Sequence, residues 1–163
     1  MPRVWLSLGS NQNRDVSIRG AVKALDEQFG PLVVSRVYES DAVGFSGEPF
    51  YNLVVGFDSE LPHEALMPRF RQIEADFGRQ RGSEKFSSRT LDIDLLTYGD
   101  LVQKGESYEL PRDEIEKYSF VLCPLAEVAP DQCHPVTGEQ FAKMWAAFDQ
   151  AAQPLWPVEF SFD

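Results

Sequence analysis

Apolar and polar positions divide the first half of the chain into strands and helices. Residues 4–8 form a short apolar run that ends at Gly9, which is typical of a strand entering a turn. Apolar residues at positions 21, 22, 25 and 29 recur with helical spacing, and Gly30-Pro31 ends that segment. Residues 32–38 and 50–57 are rich in strand formers, and a loop with two glycines and a proline separates them. These segments predict β-α-β-β.

The second half continues the same pattern. A helix is predicted after Leu61-Pro62, because apolar residues at 66, 70, 73 and 77 share one face, and residues 91–98 predict a strand. Beyond it come an extended piece at 108–111, an apolar run at 120–125, a helix over about 139–148 and an irregular tail from 154. The order predicts an α+β protein with a ferredoxin-like βαββαβ core, helices packed on a mainly antiparallel sheet, and an additional C-terminal helix. Residues 1–163 are expected to form a single domain, because neither a repeat nor a linker divides them.

Composition narrows the possible partners. The 163 residues include 43% hydrophobic ones, yet no apolar run approaches the ~20 residues that span a bilayer, so no membrane partner is expected. The net charge of −11 argues against nucleic acid, which requires a basic surface. Cys123 and Cys133 lie outside any paired motif, which favours a reducing cytoplasm. We expect a cytoplasmic monomer that binds small molecules.

Two aspartates and a basic segment are the main candidates for chemistry. Asp92 and Asp94 alternate with apolar residues and should share one strand face, where Mg²⁺ would relieve their repulsion. Taken alone, such a pair is more often a solvated strand face. Four basic residues just before it could clamp phosphate oxygens, or could simply form a solubilising loop. They are Arg79, Arg81, Lys85 and Arg89. With the basic residues next to the aspartate pair, a metal and phosphate site is as well supported as a solvated surface.

Three further side chains have both a functional and a structural interpretation. Glu74, on the second predicted helix, could accept from a ribose or base, although most glutamates on helix surfaces are solvated. Asn52, preceded by two aromatic residues, could bind the edge of a flat heterocycle or could be satisfied by backbone groups. Phe120 could stack on such a ring or belong to the core. The chain contains neither G-x-x-x-x-G-K-[ST] nor G-x-G-x-x-G, so ATP would require a different fold.

Five ordered segments resemble one known family. They are residues 6–11 (LSLGSN), 50–52 (FYN), 73–74 with 78–81 (IE and GRQR), 88–96 (SRTLDIDLL) and 120–130 (FVLCPLAEVAP). Their order and spacing are similar to those of 6-hydroxymethyl-7,8-dihydropterin pyrophosphokinase, a folate-pathway enzyme, over about residues 4–145. The combination of the last two segments is specific, whereas each piece alone is not.

The resemblance implies an activity and a set of roles. In this family the hydroxymethyl oxygen of the dihydropterin attacks the β-phosphorus of ATP, giving the pterin diphosphate and AMP. Two Mg²⁺ ions would be held by Asp92 and Asp94, and Arg81 and Arg89 would join them as catalytic residues. The implied ATP-binding residues are Glu74, Arg79, Arg81, Lys85, Arg89, Leu95 and Arg112. The implied pterin-binding residues are Ser40, Val43, Gly44, Phe50, Asn52 and Phe120, with Phe50 and Phe120 stacking on the ring and Asn52 binding its edge.

The chain also departs from the family pattern. Residues 85–89 read KFSSR where many members have RWGPR, and Arg112 replaces a usual histidine. Tyr118 stands in place of an arginine, and Asp41 in place of a proline. Because the metal pair is intact, the sequence supports ATP and Mg²⁺ binding more strongly than efficient turnover of the standard pterin. The alternatives are a divergent paralogue that binds pterin or nucleotide with little catalysis, and a ferredoxin-like regulatory module without chemistry.

Overall fold

Strands and helices of the computed structural model follow the predicted order closely. The structure describes residues 1–41, 47–77, 91–105 and 107–162. The strands in these ranges are β1 (Arg3–Ser10), β2 (Val33–Val34), β3 (Val37–Ser40), β4 (Phe50–Asp58), β5 (Asp92–Tyr98), β6 (Gln103–Lys104), β7 (Glu109–Leu110) and β8 (Leu155–Val158). The helices are α1 (Arg14–Phe29), α2 (His63–Asp76), α3 (Glu114–Lys117), α4 (Ser119–Val128) and α5 (Phe141–Ala147), followed by a 3-10 turn at Gln150–Ala152.

The main sheet has the order β5-β1-β4-β3-β8, and β2 pairs with β4 beside β3. Neighbouring strands run antiparallel throughout this sheet. The first four strands of the order, together with α1 and α2, form the ferredoxin-like βαββαβ core, which confirms the predicted fold class. The small hairpin of β6 and β7 and the helices α3, α4 and α5 follow this core, and α5 confirms the predicted C-terminal helix.

One predicted strand is interrupted. The segment 32–38 was expected to be continuous, but Ser35 and Arg36 separate β2 from β3. The hydroxyl of Ser35 accepts the backbone N–H of Val54 at 2.9 Å, while the Ser35 N–H donates to the Val54 carbonyl at 2.9 Å. A side chain thus replaces a backbone carbonyl in the ladder, so regular pairing stops at this residue.

The expectation of an irregular tail is wrong for residues 155–158, whereas residues 159–162 have no regular secondary structure. Residues Leu155–Val158 form β8, which adds to the outer edge of β3 with Trp156 opposite Glu39 and Leu155 opposite Ser40. Pro157 lies within this strand, which is tolerated because β8 is itself at the edge of the sheet. The pairing with β3, rather than local strand propensity, orders this segment.

Two hydrophobic clusters cover the two faces of the sheet. One face packs against α1 and α2, where Ile93 and Leu95 of β5 join residues such as Leu25 and Phe70. The opposite face packs against α4 and α5 through a second cluster that includes Trp5, Val54 and Leu96. In the described ranges, no helix is both long enough and apolar enough to cross a bilayer. Asn52, Asp92 and Asp94 alternate with residues of the first cluster, so they lie on the side of the sheet that α4 covers.

Candidate active site

Asp92 and Asp94 share one face of β5, as the alternation of the sequence predicted. Ile93 and Leu95 point into the opposite core, and each is at most 3% exposed. The side chain of Asp94 is 17% exposed. Burial, followed by the neighbouring charge of Asp92, raises the pKa of Asp94 well above its ordinary value. The two carboxylates are thus held together at an electrostatic cost.

This donor set fits a divalent cation. Mg²⁺ prefers one or two carboxylates and takes its remaining ligands from water and phosphate oxygens. Within the described ranges, no group of three or more histidine, cysteine or acidic side chains could hold a metal by itself. A pair of carboxylates on one strand face suits an ion that takes further ligands from a phosphorylated substrate, and such an ion would offset the repulsion between the two aspartates.

Arg112 lies beside the aspartate pair. Its Nη2 is 3.6 Å from Oδ1 of Asp94 and 2.6 Å from Oε1 of Glu114. The backbone N–H of Arg112 donates to the carbonyl of Leu96 at 2.8 Å, which ties this residue to β5. Burial lowers the pKa of Arg112, but the two carboxylates outweigh it, so the pKa is raised and the guanidinium stays charged. The structure therefore brings the predicted ATP contact Arg112 next to the predicted metal pair.

Gly9 separates the predicted metal side of the site from the predicted pterin side. On β1, Gly9 pairs with Asn52 of β4 on one side and with Asp92 of β5 on the other. Directly paired residues share a face, so Asn52 and Asp92 flank Gly9 at a separation of about 10 Å, which is two strand spacings. Gly9 itself places no side chain between them, and it is partly exposed.

Asn52 is held in one orientation by Ser40. Its Nδ2 donates to the Ser40 hydroxyl at 2.8 Å, and both residues are buried. Its Oδ1 is turned toward Gly9, 3.5 Å from the point where a Cβ on that glycine would stand, and Phe50 Cδ2 is 3.7 Å from the same point. Two of the residues predicted to bind the pterin, Asn52 and Phe50, thus meet above Gly9, and Ser40 orients one of them.

The ring of Phe120 contacts Tyr118. The two rings stack with centroids 5.0 Å apart and an interplanar angle of 16°. Phe120 is the second residue of α4, on the same side of the sheet as Asn52, and packs at the margin of the second cluster. The residue that stands in place of a family arginine is therefore an aromatic ring that covers one face of Phe120.

Glu74 and Leu95 are placed differently from the other candidates. Glu74 is 1% exposed, and its Oε2 accepts the backbone N–H of Ile93 at 2.7 Å. Its Oε1 accepts from Arg71 at 2.8 Å, and Arg71 also donates to the Ile93 carbonyl at 2.8 Å. The side chain of Leu95 is buried in the opposite core, so a nucleotide contact by Leu95 would have to use its backbone. A nucleotide contact by Glu74 stays a prediction.

Three residues of this region were not predicted from the sequence as part of the site. They are Arg71, Glu114 and Gly9. The sequence does contain a signal for the ion pair of Arg71 with Glu74, because residues three apart on a helix are neighbours on its surface. Six predicted site residues lie outside the described ranges, and their roles stay predictions. They are Val43, Gly44, Arg79, Arg81, Lys85 and Arg89.

Comparisons with known proteins find relatives that match most of this chain. The sequence profile of the family described as 7,8-dihydro-6-hydroxymethylpterin-pyrophosphokinase matches residues 5–130. The 2-amino-4-hydroxy-6-hydroxymethyldihydropteridine pyrophosphokinase of Aquifex aeolicus is 34% identical over 138 residues, covering 83% of this chain and 86% of that protein. The folic acid synthesis protein fol1 of Pneumocystis carinii is 33% identical over 170 residues, covering 98% of this chain but 23% of that protein.

The fold is also found in solved structures. A crystal structure of a triple mutant of Plasmodium falciparum HPPK-DHPS has a TM-score of 0.70 at 12% identity, covering 89% of this chain and 41% of that one. The fold and the profile define a ferredoxin-like pyrophosphokinase. The chain belongs to the 7,8-dihydro-6-hydroxymethylpterin-pyrophosphokinase family. It spans less than half of the Plasmodium chain and about a quarter of the Pneumocystis protein.

Proposed function

We propose that this protein transfers the diphosphate of ATP to the hydroxymethyl group of 6-hydroxymethyl-7,8-dihydropterin, giving the pterin diphosphate and AMP in folate biosynthesis. Family membership supports the reaction, because its named relatives are pyrophosphokinases of this pterin. The observation that carries the proposal is the placement of Asn52 and Asp92 on either side of Gly9. A flat ring bound at Asn52 would point its substituent along the sheet toward the phosphates at Asp92.

The polarity of the proposed pterin site follows from Ser40 and Asn52. Because the Asn52 amide nitrogen donates to the Ser40 hydroxyl, the amide oxygen is turned toward Gly9 as an acceptor. A pterin presents N–H donors along its pyrimidine edge, and these are the groups that such an oxygen would bind. Phe50 borders the same space and would supply an aromatic face, with Phe120 on the α4 side.

The proposed phosphate site uses Asp92, Asp94 and Arg112. We propose that the two aspartates hold Mg²⁺, two ions in total, together with phosphate oxygens. Bound there, Mg²⁺ would neutralise charge on the phosphates and orient the β-phosphorus. Arg112 is positioned to contact phosphate oxygens beside Asp94, and Glu114 fixes the direction of its guanidinium. Phosphoryl-type transfer requires mainly such positioning and charge stabilisation from the protein.

Arg81 and Arg89 complete the proposal as catalytic contacts to the phosphates, with Arg79, Lys85 and Glu74 as further ATP contacts. Val43 and Gly44 are proposed to line the pterin site. These assignments rest on the family motifs. We also propose a cytoplasmic monomer that binds neither nucleic acid nor membrane. The net charge of −11 supports the lack of a nucleic-acid partner, and two cysteines that form no disulfide support the cytoplasmic location.

The direct test is product analysis. Incubation with MgATP and 6-hydroxymethyl-7,8-dihydropterin should release AMP and the pterin diphosphate in equal amounts. If calorimetry shows pterin or nucleotide binding but AMP stays at background, the divergent binding paralogue replaces the enzyme. If neither ligand binds, the regulatory module without chemistry is favoured.

A further inference from the structure

The C-terminal strand β8 adjoins the predicted pterin side of the sheet. It pairs with β3, where Leu155 lies opposite Ser40 and Trp156 lies opposite Glu39. Ser40 is the residue that orients the Asn52 amide. This part of the tail carries no recognisable motif, yet it lies directly beside the strand that carries Ser40. Its side chains provide a route by which it can act on that site.

Arg14, the first residue of α1, contacts both neighbours of Phe50. Its Nη1 donates to the carbonyl of Pro49 at 3.0 Å, and its guanidinium carbon lies 3.9 Å from the centre of the Tyr51 ring. In the turn that precedes α1, Nδ2 of Asn11 donates to the carbonyl of Glu48 at 3.1 Å. Hydrogen bonds to two successive carbonyls, those of Glu48 and Pro49, thus fix the backbone that precedes Phe50. The guanidinium of Arg14 lies over the ring of Tyr51, the residue that follows Phe50.

Glu39 joins Arg14 to β8. One of its carboxylate oxygens accepts from Nη1 of Arg14 at 2.8 Å, and the other accepts from Nε1 of Trp156 at 3.1 Å. The side chains of Arg14 and Glu39 are 26% and 21% exposed, so the ion pair is largely shielded from solvent. Trp156 is 39% exposed and is held to the sheet edge partly through this bond. Three side chains thus connect the C-terminal strand to the residues on either side of Phe50.

We propose that Arg14 is a positioning residue that fixes Phe50 for stacking on the pterin, and that β8 supports it through Trp156 and Glu39. The inference rests on the proposed function, because it takes the pterin as the ligand of Phe50. An arginine that bonds a main-chain carbonyl and covers a ring restricts both the backbone and the side chains around it. The energy of stacking depends on the placement of the aromatic face, so loss of Arg14 should weaken pterin binding without affecting ATP.

Arg19 provides a matched control on the same helix. Its Nε donates to the carbonyl of Ser161 at 2.8 Å, and its guanidinium lies over Phe160 at 5.0 Å. Arg19 therefore also contacts an aromatic ring and the C-terminal segment, and its loss changes the net charge equally. These contacts lie with the end of the tail, beyond β8, rather than with Glu39 or Pro49.

The test compares Arg14→Gln, Arg19→Gln and Trp156→Phe by calorimetry with the dihydropterin and, separately, with MgATP. Arg14→Gln should weaken pterin binding about tenfold, as expected when a stacking contact of Phe50 is lost, and leave ATP affinity unchanged. Trp156→Phe should weaken pterin binding less but in the same direction, and Arg19→Gln should change neither affinity. The melting temperature of each variant establishes that it is folded.

Two results would overturn the inference while leaving the proposed function intact. One is normal pterin affinity in folded Arg14→Gln when the wild-type protein binds pterin. The other is an equal loss of pterin and ATP affinity, which would indicate general damage. If Arg14→Gln fails to fold, Trp156→Phe decides, and unchanged pterin affinity in that variant rejects the role of β8. If the wild-type protein does not bind pterin, the proposed function fails and the inference fails with it.

Discussion

Glu74 accepts a hydrogen bond from the backbone N–H of Ile93, the residue between Asp92 and Asp94, at 2.7 Å. β5 lies at an edge of the sheet, where the outward peptide groups of a strand have no neighbouring strand to bond. Arg71 bonds the Ile93 carbonyl and Glu74 bonds its N–H, so two side chains of α2 replace the missing strand at this residue. The position of the strand segment that carries the two aspartates therefore depends on α2.

Removing this contact should cost stability. Glu74→Ala leaves the N–H of Ile93 and the guanidinium of Arg71 without their shared carboxylate, and we expect unfolding to become easier by about 2–4 kcal/mol. Asp76→Ala is the control, because Asp76 is exposed on the same helix and accepts a hydrogen bond from Gln72 at 2.9 Å. Urea denaturation measures both variants. Equal stability of the two would show that the bond to Ile93 contributes nothing.

Glu74 should also make stability depend on pH. Burial raises its pKa from the ordinary 4.5 to about 7, against the opposing effects of Arg71 and the Ile93 N–H. The folded protein then binds this proton more tightly than the unfolded chain does, so the stabilisation is complete below about pH 4.5 and is lost as the pH rises through 7. Relative to Glu74→Gln, the wild-type protein without metal should lose stability over that window. A difference that is independent of pH would contradict the assignment.

Two glycines on paired strands should respond differently to the same change. A Cβ on Gly9 would be 3.5 Å from the Asn52 oxygen, an ordinary contact, whereas a Cβ on Gly56 would be 2.3 Å from the Trp5 ring. Gly56→Ala should therefore destabilise the fold by about 1–3 kcal/mol. Gly9→Ala should fold normally but weaken pterin binding, because the methyl group covers the sheet between Asn52 and Asp92. Thermal melts and calorimetry measure both effects, and normal pterin affinity in Gly9→Ala would exclude this part of the sheet from the site.

Arg112 should affect ATP rather than pterin. Arg112→Gln removes the cation next to Asp94, and we expect ATP affinity to fall about tenfold through the loss of a charge-assisted contact. Lys117→Gln is the control, because it removes the same charge from a side chain that is 60% exposed and paired with Asp113. Calorimetry with MgATP compares the variants. If they bind ATP equally well, Arg112 does not contact the nucleotide.

The core of the fold could be predicted because its periodicities are local. The helical spacing of Leu66, Phe70 and Ile73 and the alternation around Asp92 each indicate one buried face, and the structure confirms both. The apolar run at 120–125 shows no such spacing, because its two partly buried residues, Phe120 and Cys123, are as apolar as its buried ones. The strand β8 could not be predicted, because its order comes from pairing with β3 more than 100 residues earlier in the chain.

The site was predictable only in part for a related reason. Asp92 and Asp94 are neighbours in sequence, so their shared face followed from strand geometry. Whether Glu74 is solvated or buried depends on the position of α2 against an edge strand, which helical spacing does not specify. The contact of Arg14 with residues around Phe50 likewise joins separate segments of the chain. Contacts of this kind arise from tertiary packing and leave little trace in a single sequence.

Asp92 and Asp94 are proposed to hold the metal for diphosphate transfer to the pterin. The most direct measurement is AMP release from MgATP and 6-hydroxymethyl-7,8-dihydropterin by the wild-type protein and by Asp94→Asn, with the melting temperature of each. Asp94→Asn removes a buried charge that is repelled by Asp92, so its metal-free form should melt no lower than the wild type. We predict AMP formation by the wild type and a rate at least about a thousandfold lower in the variant. Near-normal AMP release by folded Asp94→Asn would contradict the claim.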